Sequence, residues 1–392
     1  MNIEIPLFVF ATLFACTSTN PKGNETVGKE NPTIACCDTA SAPSSECADT
    51  CRAKDTVTLA FVGDIMPGTT YPVSRLPEED GATLFNDVKD ILLRADVAAG
   101  NMEGALADSG CSTKGNGEYS YAFRIPTRYG RWLKEAGLDF MSVANNHTFD
   151  FGINGVASME KTLSDNGIAF AGIDGRTEST VVVRGGIRFG FCAFGHNSYT
   201  VHHADLDNAK RIIQELRNKA DIVVVSFHGG AEGTKHSHLP FGEELFLNEK
   251  RGDLRNFAHF CIDNGADVVY GHGPHVVRAV ELHKGHFIAY SLGNFCTPYG
   301  INIKGISGYA PVLELWLDTE TGTFLNGRIH SFVQQYGRGP REDKNNLAAK
   351  EMAMLTVSDF PESLISIAPD GEISRLPQTA SAIPMTPEQR NL

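Results

Sequence analysis

The chain keeps returning to one pattern: an apolar, β-branched run that ends on a small residue beside a carboxylate, a carboxamide or an imidazole. Phe61-Val62 run into Gly63-Asp64, and Ala98-Ala99 into Gly100-Asn101-Met102-Glu103. Val143-Ala144 run into Asn145-Asn146-His147, Ser226-Phe227 into His228-Gly229-Gly230, and Val269-Tyr270 into Gly271-His272-Gly273-Pro274-His275. Short apolar runs closed by turn-forming residues read as buried strands. Strand ends that carry polar groups belong at the edge where open α/β sheets bind ligands. The oxygen and nitrogen donors gathered there are those that hard or borderline divalent cations prefer.

Helical spacing separates these runs, over residues 84–93, 129–136, 153–166, 204–220 and 254–264. Residues 180–183 and 187–194 flank Gly185-Gly186 and read as a β-hairpin. Residues 276–281 and 286–291 are expected as strands beside a turn, and 311–317 with 328–334 as an antiparallel pair. Strand–helix alternation mixed with hairpins predicts an α/β sandwich, two mixed β-sheets flanked by helices.

Both ends look peripheral to a domain expected over residues 56–340. Residues 5–15 are apolar but too few to span a bilayer, and they end in Leu13-Phe14-Ala15-Cys16. That ending resembles a bacterial lipobox, so residues 1–16 are expected to be a lipoprotein signal peptide with Cys16 lipidated. The first six residues hold Glu4 and no Lys or Arg, unlike the usual positively charged start of a secretory signal. Residues 17–55 read as a flexible tether whose Cys36, Cys37, Cys47 and Cys51 suit local disulfides or a zinc knuckle. Cys192 and Cys261, in apolar runs, are expected as buried thiols. Residues 341–392 read as a C-terminal extension with a helix-like stretch at 348–357. The protein is therefore expected in the cell envelope, exported and lipid-anchored.

The formal net charge of −13 counts against nucleic acid as a partner, because no broad basic surface is available. An anionic substrate is still allowed, since metal ions can reverse a local potential. The sequence has no Gly-x-Ser-x-Gly, no P-loop lysine motif and no dinucleotide-binding Gly-x-Gly-x-x-Gly with its acidic partner.

Asp64 and Glu103 each follow a buried run, where a carboxylate can hold a cation, although Asp64 also suits a helix N-cap. Asn146 offers a neutral carboxamide oxygen. His147 beside it has the pKa range of a general acid, and Asp150 one turn on can orient its ring. His228 reads as a ligand or a satisfied core histidine. His272 and His275 bracket Gly273-Pro274, whose proline stiffens the loop and aims both rings. His196 ends another strand and is a candidate to line the substrate cleft. Arg124 and Arg278 can hold an anion through bidentate hydrogen bonds, or serve in structural salt bridges.

These segments together resemble the bacterial capsule-synthesis CapA proteins of poly-γ-glutamate biosynthesis, which look like distant members of the calcineurin-like metallophosphoesterase superfamily. The resemblance rests on Phe61-Val62-Gly63-Asp64-Ile65-Met66, Gly100-Asn101-Met102-Glu103-Gly104 and residues 144–152. It continues through residues 265–276 and Tyr290-Ser291-Leu292-Gly293-Asn294-Phe295. It implies a metallophosphoesterase-like sandwich holding one or two divalent metal ions, Mn, Zn, Fe or Mg. By the same resemblance Asp64 is the first metal carboxylate, Glu103 stands for the bridging carboxylate and Asn146 is the carboxamide ligand. His147 is then the catalytic acid, His228 and His272 are imidazole ligands, and His275 completes the first site.

Three departures stand out. Asp64 is followed by Ile65 and Met66 where the superfamily has Asp-x-His, the bridging position carries glutamate in place of aspartate, and the last two histidines are separated by two residues rather than one. The implied function is metal-dependent hydrolysis of an anionic envelope polymer or a phosphoester, in capsule or poly-γ-glutamate metabolism. The alternative is a non-catalytic polymer-binding or scaffolding accessory of membrane-bound capsule synthase subunits.

Overall fold

The strand Thr56–Ile65 organises the molecule, because its side chains alternate between two different apolar cores. In the computed structural model, which describes residues 55–377 apart from 116, 118 and 119, Val57, Leu59 and Phe61 point one way. Ala60 and Val62 point the other. This period of two is the pleat of a strand buried on both faces.

Thr56–Ile65 is paired in parallel with Val97–Met102 and antiparallel with Val312–Asp318, inside a mixed nine-stranded sheet. The second sheet has six strands, with Ile187–Phe194, Ile222–His228 and Val268–His272 running parallel at its centre. The two sheets pack face to face. Phe61 meets Tyr270 with ring centroids 4.6 Å apart, and Phe140 stacks on Phe191 at 4.3 Å. Helices Lys89–Arg94, Gly130–Glu135 and Gly152–Asp165 cover the outer face of the first sheet, and Leu206–Arg217 and Leu254–Asp263 that of the second. The expected two-sheet sandwich flanked by helices is the observed architecture.

Three expectations change. The helix expected over residues 84–93 is confined to Lys89–Arg94. The strand expected from residue 276 begins at Val280, because Val277 makes only a single bridge, to Leu292, where the loop carrying His275 closes. The described part of the C-terminal extension, residues 341–377, is part of the sandwich. Leu347–Asp359 buries Ala349 and Met352 in the core between the sheets, and Ile365–Ile367 with Glu372–Arg375 extend the first sheet. Cys192 and Cys261 are buried free thiols, as expected. The expected signal peptide with Cys16, and the four cysteines of the expected tether, lie outside the described residues. No helix among the described residues is long and apolar enough to cross a membrane.

Candidate metal centre

The parallel register places the strand-end motifs of both sheets at one edge. Asp64 pairs with Asn101 on one side and with Asn294 on the other, while His272 stands opposite His228. Between Phe61 and Asp64 the register slips against the neighbouring strand, a bulge that re-aims the carboxylate. Gly63 makes the bulge possible, since a Cβ there would lie 2.0 Å from the Gly293 carbonyl oxygen. Gly273, at φ +115°, lets the two histidine loops touch, because a Cβ would meet the Gly229 carbonyl oxygen at 2.4 Å.

Asp64, Glu103, His228 and His272 are all fully buried. One ligand atom from each of Asp64, Glu103 and His228 lies within 4.8 Å of the others. His272 Nδ1 is 3.4 Å from Asp64 Oδ1, and His275 Nδ1 is 2.9 Å from Asp64 Oδ2. His228 Nε2 is 3.3 Å from Glu103 Oε2. Neither carboxylate is paired with a lysine or arginine among the described residues, so the imidazoles are the only basic side chains beside them there.

Several unsatisfied atoms belong to this same cluster. Both ring nitrogens of His228 and of His272, Asn146 Oδ1 and Glu103 Oε1 are buried without a hydrogen-bond partner. Buried polar atoms are otherwise nearly always paired. Two carboxylates with imidazole nitrogens beside them form a donor set that fits a divalent cation, and Asn146 adds a buried oxygen on the wall of the adjoining cleft.

The electrostatics follow from burial against charge. Burial pushes the Asp64 carboxyl up, but the close approach of the His272 and His275 imidazoles outweighs it and holds the group well below the ordinary range. Burial likewise raises Glu103, as does the Asp64 charge, yet His228 brings it down to about 2. Burial lowers His275, and its bond to Asp64 raises it to about 10.

His147 stands beside this cluster. Its Nε2 is 3.8 Å from Glu103 Oε1, and its Nδ1 is 2.9 Å from Asp150 Oδ2. Asp150 is fixed by the Phe123 backbone N–H at 2.7 Å and by Lys114 Nζ at 2.8 Å. The imidazole is therefore held with one nitrogen clamped and the other facing the cluster.

The remaining sequence candidates are placed differently. Arg278 is fully buried, makes two hydrogen bonds to Glu244 at 2.7 and 2.8 Å, and donates to the His236 carbonyl. It is a structural tie rather than an anion-binding group. Arg124 is engaged by Thr70 and the Gly110 carbonyl and lies over the rings of Tyr71 and Phe151, so it too is structural. His196 lies behind His228, with ring centroids 5.9 Å apart, instead of lining the cleft. Burial, with the charge of His228, pushes it down to about 2.

Four residues had no role assigned from sequence. Asn101 Nδ2 donates to Asp64 Oδ1 at 2.9 Å and to Glu103 Oε2 at 2.6 Å. Asn145 donates to Asn101 Oδ1, and its own oxygen accepts the His147 N–H. Asn294 Oδ1 lies 3.0 Å from His275 Nδ1, and its amide donates to the Ser307 carbonyl. Lys114 completes the set. Asn101 and Asn294 both sit in strand-end segments next to a glycine, and that position was the signal available for them.

A cleft of 680 Å³ opens beside His147 and His275. Its volume lies in the range of small-molecule sites, roughly 300–1,000 Å³.

The family model for bacterial capsule synthesis protein PGA_cap matches residues 58–299. The chain is 29% identical over 263 residues to the PGA biosynthesis protein CapA of Bacillus subtilis, covering 63% of this chain and 64% of that protein. It is 25% identical over 268 residues to the capsule biosynthesis protein CapA of Bacillus anthracis, covering 64% and 62%. The chain thus spans less than two thirds of the length of either protein. Among solved structures, a phosphatase from Mycoplasma pneumoniae aligns over 71% of this chain and 94% of its own, at 15% identity and a TM-score of 0.45. A hypothetical protein from Thermus thermophilus aligns over 70% and 99%, at 19% identity and a TM-score of 0.43. With its family model running from the first buried strand past the last histidine motif, the chain belongs to the bacterial capsule synthesis PGA_cap family.

Proposed function

We propose that this protein is an exported, lipid-anchored, metal-dependent phosphoester hydrolase that serves capsule or poly-γ-glutamate assembly. The observation that carries the reading is the buried convergence of Asp64, Glu103 and His228, with unpartnered nitrogens on His228 and His272. Asp64, Glu103, Asn146, His228, His272 and His275 would hold the metal. A divalent cation at this site supplies positive charge that polarises a phosphoryl oxygen and acidifies water. Asn101 spaces the two carboxylates and keeps both turned inward. With its Nδ1–H held by Asp150, the imidazolium form of His147 would present its second proton, on Nε2, to the leaving oxygen. Export and anchoring rest on the apolar segment that ends at Cys16.

Metal analysis and a panel of phosphomonoesters and phosphodiesters test the reading. Stoichiometric divalent metal and a turnover lost in His147→Ala, with folding intact, are expected. Background metal content that His272→Ala leaves unchanged overturns it.

One observation favours a second reading, a polymer-binding accessory of the synthase without turnover. Ile65 and Met66 are fully buried in the apolar core and add no donor beside Asp64. A relative of 28% identity over 193 residues in Mycobacterium tuberculosis is called a probable polyglutamine synthesis accessory protein. Metal binding without turnover of any ester in the panel would decide for it.

A further inference from the structure

The cleft beside His147 has walls unlike those of a site for a polyanion. One wall holds Phe123 and the stacked rings of Phe149 and Tyr199, with centroids 5.2 Å apart. The other is a hairpin, Glu244–Phe246 with Glu249–Gly252, that contributes Phe246 and Leu247. Leu247 and Asn248 form its turn at φ 49° and 65°. This left-handed turn normally takes Asn and Gly, and a leucine there is unusual. Leu247 is 55% exposed and Leu245 65%, so the tip presents an apolar lip to solvent. The hairpin is also firmly seated. Arg278 ties Glu244 from below, and Arg251 binds Glu232 and Glu249 at 2.9 Å each.

Apart from the candidate metal ligands, the charges lining the cleft cancel. Lys114 faces Asp150 at 2.8 Å, and Arg251 is shared between two glutamates. Among the described residues, Lys114 and Arg251 are thus balanced by Glu232 and Glu249, with Asp150 behind them. A chain of carboxylates laid along this cleft would meet no surplus positive charge away from the metal ligands. Charge complementarity is what recognition of such a chain would need. Aromatic and aliphatic walls instead favour an uncharged, apolar body.

We infer that the substrate is a phosphomonoester of an apolar alcohol, its phosphate at the metal ligands and its hydrophobic group between Phe149–Tyr199 and the Leu247 hairpin. The inference rests on the hydrolase reading above and names its substrate class. In the reaction a water oxygen forms the new bond to phosphorus, the bond from phosphorus to the alcohol oxygen breaks, and the alcohol departs with a proton. Inorganic phosphate is the other product. An aromatic alcohol and a long-chain alcohol share this chemistry.

The test measures kcat/KM of the full chain with Mn²⁺ for geranyl, benzyl, methyl and glycerol phosphates, all esters of alkyl alcohols with similar leaving-group acidity. Geranyl or benzyl phosphate is expected to exceed methyl phosphate by at least about tenfold, the scale set by a few apolar groups in a pocket. A geranyl preference identifies a chain alcohol and a benzyl preference a ring. In Leu247→Asp the ratio should fall several-fold, with the thermal midpoint as the folding check. A flat series, a preference for glycerol phosphate, or a ratio unmoved by Leu247→Asp overturns the inference. Calorimetry with the geranyl, benzyl and methyl phosphonates separates this failure from failure of the hydrolase reading. A preference of about tenfold for either apolar phosphonate without turnover leaves the cleft assignment standing and removes only hydrolysis, whereas equal binding overturns the assignment itself.

Discussion

His228 and His272 face each other in register at the ends of two adjacent parallel strands, and the Gly229 N–H donates to the His272 carbonyl at 2.9 Å. The backbone ladder itself therefore sets the spacing of the two rings. Replacing either ring by alanine leaves the ladder intact and removes one donor from a site that has few. His272→Ala and His228→Ala should each bind a divalent cation at least about tenfold more weakly, judged from what even an indirect metal contact contributes. Competition against a chelator measures it. Wild-type affinity in both variants would mean that the cation is held elsewhere.

Asn101 carries a different burden, since its amide stands between two buried carboxylates. Asn101→Asp keeps the shape but replaces the donor by a third negative charge. After chelation the variant should lose about 2–4 kcal/mol, the scale of a buried donor removed together with added repulsion. Saturating Mn²⁺ should recover much of that loss, because a cation offsets the repulsion. Thermal unfolding with and without metal checks it, and an equal loss in both conditions would assign Asn101 to packing alone.

The fold and the buried polar cluster at the sheet edge were legible in the sequence for a common reason. In a sandwich of mixed sheets, an apolar run that ends on glycine and a polar residue specifies both a strand and the edge where it stops, and Asp64, Glu103, His228 and His272 all follow that rule. Arg278 was not legible, because its fate depends on Glu244, a residue 34 positions away in a hairpin with no sequence link to it. Lys114 and Asn145 were hidden likewise, since each acts through a partner that only the tertiary structure supplies. The helix Leu347–Asp359 falls beyond the domain that the sequence outlines. It buries Ala348, Ala349, Met352 and Leu355, small and flexible residues that do not announce a core on their own.

The Arg278–Glu244 pair predicts an effect on the cleft without contact to substrate. Arg278→Met leaves a carboxylate buried and unpaired, which should destabilise the protein by about 3–5 kcal/mol. Adding Glu244→Leu removes the orphan charge and should restore most of the stability, measured by urea unfolding. KM for a cleft-binding ester should rise in the single variant and return toward wild type in the double variant. An arginine that bound substrate directly would leave the double variant as impaired as the single one.

Far from the cleft, Glu314 gives the fold a distinct response to acid. Its buried carboxylate accepts from Arg94 at 2.6 and 2.9 Å and lies 2.7 Å from His330 Nε2. Burial raises its pKa, but the His330 and Arg94 bonds outweigh that and bring it from the ordinary 4.5 to about 2. A carboxylate depressed in the folded state stabilises the fold fully above its unfolded pKa and loses that contribution as pH falls toward the folded one. The window here runs from about 4.5 down to about 2, and the contribution is on the order of 2 kcal/mol after allowing for the half-exposed Arg94. Urea unfolding of wild type and Glu314→Gln across that window checks it. The wild-type advantage at pH 6 should shrink steadily below pH 4.5, because only the wild-type side chain takes up a proton there; a gap that stays constant to pH 2.5 would show that Glu314 contributes by shape and not by charge.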